Sequence, residues 1–339
     1  WGGSTLWSST LMIGGISVIP FSEGRFSGSG FIGEVALPVD SRGRPKFLTV
    51  RQILVADEPG HPTEPRDYFQ PMDDGTSDGP YGEAATYQRD GHVATITYHR
   101  PEAANTVNGA MRRDLNAAWD RFMADEEAWV AVLTGAGDRH FCGGADLRDP
   151  NGSTGDFSGT FWETPTINSF ESGLEVFKPT IAAVNGACVG YGLTAVVSCD
   201  FVVASERATF SWPEVSIGIP TIVGAIRLPR KVAWADAMEL LLTGEPIDAQ
   251  RALDIGLAWR VVPHDELMAE ARTLADRLCR AAPLAARTTK EVAVRTRDMG
   301  WTEAVRFGET MRRVAGATAD ATEGRAAWAE KRPPEWEGR

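Results

Sequence analysis

TIAAVNGACVGYGLTAVVSCDFVVASERATFSWPEVSIGI, residues 180 to 219, is the stretch that decides the fold. Its first five residues are apolar or β-branched and predict a buried strand, which ends at the turn signal Asn185-Gly186. Gly190-Tyr191-Gly192 then leads into an apolar helix that ends near Cys199. A second strand is predicted over 200–204, so the chain here runs strand, glycine corner, helix, strand.

This order of elements predicts a place that holds a partial negative charge. Glycine lets the backbone approach a ligand closely, and the first N–H groups of a helix point outward at its positive end. Further along, Trp212-Pro213-Glu214 places a carboxylate in an apolar setting. The pattern indicates an enzyme that combines charge-stabilising backbone amides with one acid–base group. The alternative for Glu214 is an ordinary first-turn residue after a proline, stabilised by the helix dipole.

The composition is that of an ordinary globular protein, with 43% hydrophobic and 24% charged residues. Acidic residues outnumber basic ones by 46 to 34, and the net charge of −12 argues against binding to nucleic acid or an anionic membrane. The four cysteines have no metal-ligand or redox spacing, so we expect reduced thiols and a cytoplasmic protein. No apolar run reaches transmembrane length. Nothing in the sequence indicates a metal or a redox cofactor.

Residues 1–80 predict a β-rich extension whose role the sequence leaves open. Strand character appears over 13–20, 31–38 and 47–55, between clusters of Gly, Pro, Asp and Ser. Residues 58–78 are rich in Pro, Gly and acidic side chains and predict a linker. The extension either packs on the main domain or a neighbouring subunit, or it forms a separate binding module.

A second glycine corner lies upstream of the deciding stretch. A strand is predicted over 92–99, a helix over about 108–124 and a buried strand over 129–134. Gly143-Gly144 then permits a sharp turn. Such a turn can present the backbone N–H of Ala145 to a ligand.

Six motifs follow one another along the chain: Arg100-Pro101-Glu102-Ala103-x-Asn105, LTGAGDRHFCGGADL (133–147), AVNGACVGYGLTAVVSCDFVVAS (183–205), FSWPEVSIG (210–218), ALDIGLAWRVVP (252–263) and AAWAEKRPPEWEG (326–338). Together they resemble the crotonase superfamily, which is the enoyl-CoA hydratase/isomerase family. The similarity runs from about residue 86 to the end of the chain. Several ordered motifs at the family spacing are far more specific than one short pattern.

The resemblance implies a fold, a ligand and an assembly. The fold is α/β, with a crotonase-like spiral of ββα repeats over residues 81–265 and a C-terminal helical trimerisation region over 266–339. The ligand is an acyl-CoA thioester, with coenzyme A as part of the substrate, and the assembly is a homotrimer or a dimer of trimers. The backbone N–H groups of Ala145 and Tyr191 are implied as donors to the thioester oxygen. Each such donor is worth about 3 kcal/mol of the reaction barrier.

The resemblance also implies residues that contact the substrate or its coenzyme A moiety: Ala103, Gly143, Asp146, Leu147, Gly190, Trp162, Trp212, Trp328 and Lys331. Asp146 is expected to fix its loop rather than to take part in chemistry. Trp162 and Trp212 suggest an aromatic lining of the acyl pocket, although scattered aromatic residues are usually core. Trp328 and Lys331 match positions that reach a neighbour's coenzyme A, and the alternative is an ordinary amphipathic helix face.

One departure from the family pattern bears on the reaction. Hydratases of the family use two glutamates, and the matching positions here are Thr194 and Glu214. Water addition needs one group for the water and another for the α-proton, whereas one base can move a proton between two carbons. Thr194 can hold a water but is a very poor base. Glu163 is a candidate for a substitute second carboxylate.

We therefore expect an oxyanion-stabilised enolate with Glu214 as the single acid–base group, and isomerisation rather than hydration. The enzymatic alternative is a C–C hydrolase of a cyclic oxoacyl-CoA, which uses the same oxyanion site. A non-catalytic acyl-CoA-binding scaffold is the alternative from another class. The glycine corner and the retained Glu214 argue against the scaffold.

Overall fold

The computed structural model describes residues 82–149, 169–170 and 173–339 in full, and the bounds and pairing of five strands before residue 54. The chain forms two compact units, Trp1–Gly75 and Thr76–Arg339. The domain limits proposed above at residues 80 and 265 stay predictions.

The N-terminal unit contains five described strands: β1 (Met12–Ile13), β2 (Ile16–Ser17), β3 (Glu23–Ser27), β4 (Gly30–Leu37) and β5 (Lys46–Ile53). β1 pairs antiparallel with β2, and β3, β4 and β5 form an antiparallel sheet. The strands predicted over 31–38 and 47–55 are confirmed by β4 and β5. The single strand predicted over 13–20 is wrong in extent, because only β2 falls within it as a whole. The predicted linker lies outside the described residues.

The described part of the larger unit contains ten strands: β6 (Ala85–Asp90), β7 (Val93–Tyr98), β8 (Val130–Gly135), β9 (His140–Cys142), β10 (Thr180–Val184), β11 (Ala187–Val189), β12 (Phe201–Ser205), β13 (Thr209–Ser211), β14 (Ile247–Asp248) and β15 (Arg260–Val262). It also contains nine α-helices: α1 (Gly109–Ala124), α2 (Tyr191–Ser198), α3 (Val223–Arg227), α4 (Trp234–Thr243), α5 (Ala249–Asp254), α6 (Leu267–Leu278), α7 (Pro283–Arg295), α8 (Trp301–Gly316) and α9 (Ala319–Glu330). The buried strand, the helix and the return strand predicted from residue 180 are β10, α2 and β12.

The main sheet has the order β15-β12-β10-β8-β7-β6 and is parallel except for the β6–β7 hairpin. All five residues of β10 are buried, as expected for a parallel strand with both faces covered. One face packs on α1 through residues that include Met111, Leu115 and Trp119. The other face packs on Leu267, Ala271 and Leu274 of α6.

A second sheet has the order β14-β13-β11-β9. β9, β11 and β13 are parallel, with Cys188 opposite Cys142 on one side and Phe210 on the other. β14 adds an antiparallel edge strand. Each of these parallel strands has three residues. Because they run in the same direction, their carboxyl ends lie at one edge of the sheet.

The C-terminal helices confirm the predicted helical character of this region. α7 and α8 contain no buried residue, and the exposed fractions of Trp301 and Trp328 are 84% and 83%. The chain then returns to the core at Trp336, whose indole N–H donates to the carbonyl oxygen of Arg280 at 2.9 Å. Across the described residues, no helix has both the length and the apolar character needed to cross a bilayer.

Candidate active site

The candidate site lies where the three parallel strands of the second sheet end. Ala145 follows β9 by three residues, Tyr191 follows β11 by two, and Glu214 follows β13 by three. Because parallel neighbouring strands end at the same edge, their exit loops are neighbours. A Cβ built on Gly144 would lie 3.2 Å from the carbonyl oxygen of Val189, which shows that the first two loops touch.

The first loop turns at Gly144, where φ is +91° and glycine is favoured. The backbone N–H of Val107 donates to the carbonyl oxygen of Gly144 at 2.8 Å, and Val107 and Ala145 form an isolated parallel bridge. These bonds fix both neighbours of the Ala145 amide. Among the described residues the Ala145 N–H has no acceptor, so it can serve as a donor to a ligand.

The second loop turns at Gly190, whose φ of +53° and ψ of −111° suit glycine only. The N–H of Gly190 donates to the carbonyl oxygen of Ser211 at 2.9 Å, and α2 begins at the next residue. The N–H of Tyr191 therefore belongs to the first turn of α2, which has no partner within the helix. It too has no acceptor within the described part of the chain.

The third loop brings the carboxylate to this point. Pro213 starts a short 3-10 helix, Pro213–Ile217, and Glu214 is its second residue. A Cβ built on Gly190 would lie 2.6 Å from Oε1 of Glu214. Glycine at this position thus leaves the space that the carboxylate occupies, and the acid lies directly against the corner that precedes the Tyr191 amide.

Glu214 is half-buried, and the environment of its carboxylate is unusual. Its Oε2 atom is fully buried and has no hydrogen-bond partner among the described residues. Burial raises the pKa of the Glu214 carboxyl above its ordinary value, and a hydrogen bond to its own backbone offsets part of this rise. An acid with a raised pKa and an unsatisfied oxygen is suited to proton transfer.

Thr194 lies one turn into α2, and its hydroxyl is engaged in the core. The indole N–H of Trp212 donates to Oγ1 of Thr194 at 3.2 Å, and both side chains are buried. A Cβ built on Gly224 would lie 2.8 to 2.9 Å from the Trp212 ring, so α3 approaches the ring closely. Trp212 is fully buried and packs on Thr194 and Gly224, and its predicted place in the lining of the acyl pocket stays a prediction.

The other predicted contact residues surround the first loop. Ala103 ends a 3-10 helix and is half-buried, and Leu147 is 66% exposed. The Asp146 carboxylate pairs with the Arg100 guanidinium at 3.3 Å, so it ties the loop after Ala145 to the segment after β7. Gly143 donates its N–H to the carbonyl oxygen of Ala104 at 2.8 Å and belongs to the same network.

Four predicted residues remain: two belong to α9 or its C-terminal cap, and two lie outside the described residues. Trp328 is exposed on α9, and Lys331 caps α9 in the left-handed conformation with φ of +57°. Their predicted contact is with a neighbouring subunit's coenzyme A, and it stays a prediction. Trp162 and Glu163 lie outside the described residues.

One pair near the site was missed by sequence reasoning. The Arg112 guanidinium on α1 lies over the Tyr191 ring at 5.1 Å from its centroid, and its Nη1 donates to the Tyr191 hydroxyl at 3.4 Å. The side chain of Tyr191 is therefore held toward α1. The half-exposed Arg112 brings a positive charge to the rim of the site. No sequence signal links two residues that are 79 positions apart.

The three strand exits thus bring two backbone N–H groups and one carboxylate together, an arrangement suited to stabilising an oxyanion. The family model described as enoyl-CoA hydratase/isomerase matches residues 88–339. (E)-benzylidenesuccinyl-CoA hydratase of Thauera aromatica is 36% identical over 256 residues, which cover 75% of this chain and 98% of that protein. Carnitinyl-CoA dehydratase of Proteus mirabilis is 36% identical over 263 residues, which cover 74% of this chain and 96% of that protein.

Solved structures agree with these relatives. An enoyl-CoA hydratase/isomerase from Mycobacterium paratuberculosis matches with a TM-score of 0.67 and 38% identity, over 76% of this chain and 99% of that one. An enoyl-CoA hydratase from Mycobacterium tuberculosis matches with a TM-score of 0.70 and 30% identity, over 76% of this chain and 100% of that one. The chain belongs to the enoyl-CoA hydratase/isomerase family, the crotonase superfamily, and is an enzyme that acts on acyl-CoA.

Proposed function

We propose that this enzyme moves a proton between two carbons of an enoyl-CoA thioester, with Glu214 as the single acid–base group. The Ala145 and Tyr191 amides hold the thioester oxygen. Glu214 removes a proton from the carbon next to the carbonyl, and the electron pair moves onto that oxygen as a dienolate. The protonated Glu214 returns the proton to the γ-carbon, so the double bond shifts and no water is consumed.

The observation that carries this proposal is the contrast between Glu214 and position 194. Glu214 lies against Gly190 with one oxygen buried and unpartnered. Thr194, at the place where hydratases of the family carry their other glutamate, already accepts a hydrogen bond from Trp212. Its neutral hydroxyl is far too weak a base to take a proton from water. One base supports isomerisation, whereas hydration needs a second acid–base group.

Hydration is the second candidate, because two relatives are named for the hydration or dehydration of acyl-CoA compounds. It would need a second acid, and Glu163 is the candidate that the sequence offers. The two candidates differ in a measurable way, since only hydration incorporates solvent oxygen into the product.

The test uses the full chain with three substrates: a 3-enoyl-CoA, a 2-enoyl-CoA and a cyclic oxoacyl-CoA. We expect turnover of the 3-enoyl-CoA without incorporation of ¹⁸O from labelled water, and loss of that turnover in Glu214→Gln. Glu163→Gln is the matched control and should keep the activity. Rapid ¹⁸O incorporation that depends on Glu163 would establish hydration instead. Ring opening of the cyclic substrate would establish the hydrolase. Tight binding of coenzyme A without any turnover would establish the non-catalytic scaffold.

The C-terminal helices support a proposal about assembly. α8 has no buried residue, yet it carries Trp301, Val305 and Val314, which are exposed by 84%, 44% and 61%. Apolar side chains at this density indicate a surface that a neighbouring subunit covers. We expect a homotrimer or a dimer of trimers, with coenzyme A brought in as part of the substrate and no resident cofactor. Analytical ultracentrifugation of the wild type and of Trp301→Glu tests this, and a monomeric wild type would contradict it.

A further inference from the structure

A cavity of about 170 Å³ lies at the opposite end of α2 from the candidate active site. Ser198, Cys199 and Asp200 line it at the carboxyl end of this helix, and residues of α3 and α7 border it. α2 has eight residues and is therefore about 12 Å long. The volume is roughly ten times the ~15 Å³ that one water needs. The cavity shares no residue with the site formed by Ala145, Tyr191 and Glu214.

The charges that line this cavity do not balance. Four cationic side chains face two carboxylates, and the six are Arg227, Lys231, Lys290, Arg297, Glu175 and Asp200. The carboxyl end of a helix contributes about −0.5 charge. The sum is about +1.5, so the capping of the helix end explains only part of the positive charge.

Two of the cations have partners of their own. Lys290 Nζ pairs with Asp200 Oδ2 at 2.7 Å and also donates to the carbonyl oxygen of Lys178 at 2.9 Å. Lys231 Nζ donates to the carbonyl oxygen of Cys199, the capping residue of α2. All three bonds are internal and hold these amines at the wall of the cavity.

The two guanidinium groups have no such partners. Within the described part of the chain, neither Arg227 nor Arg297 forms an ion pair, and Glu175 pairs with Arg295 instead, at 3.5 Å. Burial, followed by the neighbouring charge of Arg297, lowers the pKa of the half-buried Arg227. Like charges held together beside a cavity are costly unless an anion is bound between them.

We infer that this cavity binds a small oxyanion of the phosphate class, held by the guanidinium groups of Arg227 and Arg297 with Lys231 at its wall. Arginine presents several N–H donors in a planar fork that matches phosphate oxygens. Phe170, Leu174 and Val294 add apolar surface to the lining, and an apolar surrounding strengthens the attraction between opposite charges. Burial raises the pKa of the Cys199 thiol to about 12, so this thiol stays protonated and the site serves binding rather than chemistry.

The ligand can be free phosphate or the phosphate of a larger molecule, and the experiment separates the two. Inorganic phosphate and ADP are titrated separately into the full chain by calorimetry, at constant ionic strength set with chloride. We expect saturable binding of phosphate and a rise in melting temperature with its concentration. If ADP binds and displaces phosphate, the site also accepts the phosphate group of a larger molecule. If only inorganic phosphate binds, the ligand is the free ion.

Arg297→Gln tests the assignment, because Arg297 is exposed enough to be replaced without loss of the fold. Its phosphate dissociation constant should rise about tenfold, the effect of ~1.4 kcal/mol. Arg312→Gln removes the same charge from an exposed position on α8 and should change the constant less than about twofold. Arg227→Gln is the second variant and should weaken binding at least as much as Arg297→Gln.

Equal effects of Arg297→Gln and Arg312→Gln would overturn the inference, because they would indicate attraction by net charge alone. Absence of phosphate binding, together with a loss of assembly in Arg297→Gln, would overturn it in favour of a carboxylate from a neighbouring subunit. The inference does not depend on the proposed isomerisation. Turnover is therefore measured separately on the same variants.

Discussion

Replacing Thr194 with Val tests whether position 194 is structural or catalytic. Valine keeps the β-branched shape and changes the hydroxyl to a methyl group. The indole N–H of Trp212 then loses its acceptor at 3.2 Å inside the core, where both side chains are less than 9% exposed. Leaving a buried donor without a partner costs about 1–3 kcal/mol. For a unit of this size each kcal/mol lowers the melting temperature by roughly 2–4 °C, so we expect a decrease of about 2–12 °C.

The activity of the same variant should be little changed. If Glu214 is the single base, Thr194→Val should keep its rate of 3-enoyl-CoA isomerisation within about threefold, because no proton passes through the hydroxyl. The comparison variant is Trp212→Phe, which removes the donor and some volume. The double variant should be more stable than the sum of the single changes predicts, by about 1 kcal/mol, which is the energy of the hydrogen bond.

Thermal and urea unfolding give the stabilities, and steady-state kinetics with saturating substrate gives kcat. The reasoning is refuted if Thr194→Val melts like the wild type and loses a hundredfold or more in kcat. That combination would mean that the hydroxyl acts on the substrate or on a bound water and that the bond to Trp212 contributes nothing. A decrease in stability without a loss of kcat supports the structural assignment.

Three further substitutions test the rest of the site. Glu214→Gln should lower kcat by about 100- to 10,000-fold. Burial raises the folded-state pKa of Glu214 above 4.5, so the stability that this carboxyl contributes is complete below pH 4.5 and is lost as the pH rises through the folded-state pKa. At pH 8 the Gln variant should therefore melt at the same or a higher temperature. The wild-type kcat/KM should fall on acidification at a pH above 4.5, and a wild-type rate in Glu214→Gln would exclude the single base. Gly190→Ala should cost about 1–3 kcal/mol in urea unfolding and reduce turnover, because its φ is +53° and the new Cβ would lie 2.6 Å from Glu214 Oε1; unchanged stability would contradict the close contact. Asp146→Asn should keep kcat within about tenfold, because its ion pair with Arg100 at 3.3 Å positions the loop and moves no proton; a loss as large as that of Glu214→Gln would make Asp146 catalytic.

The elements of the main sheet could be predicted from sequence because each has a clear local signal. The run over 180–184 is apolar or β-branched throughout and forms β10, buried on both faces. Asn108 accepts a hydrogen bond from the backbone N–H of Met111 and starts α1 where the sequence indicated. The short strands β9, β11 and β13 were missed, because three residues are too few to show a period of two.

These missed strands bring the candidate site together, and for this reason its outline was easier to predict than its geometry. The glycine corners at Gly144 and Gly190 carry a local signal, since both need a positive φ. The contact between Trp212 and Thr194 carries none, because it depends on how β13 and α2 pack. Nothing in the local sequence around Trp212 indicates that its indole turns into the core.

The threonine at position 194 is part of a larger packing arrangement. Thr194, Trp212 and Gly224 form one packing unit, in which the indole N–H needs an acceptor and the ring needs a glycine on α3. A glutamate at position 194 would have to fit beside a fully buried indole, whose N–H can donate one hydrogen bond only. A buried charge without partners is costly, so this carboxyl would bind a proton and could no longer accept one from water. The packing around Trp212 therefore disfavours a working base at position 194, and a change at this position alone should not produce a hydratase.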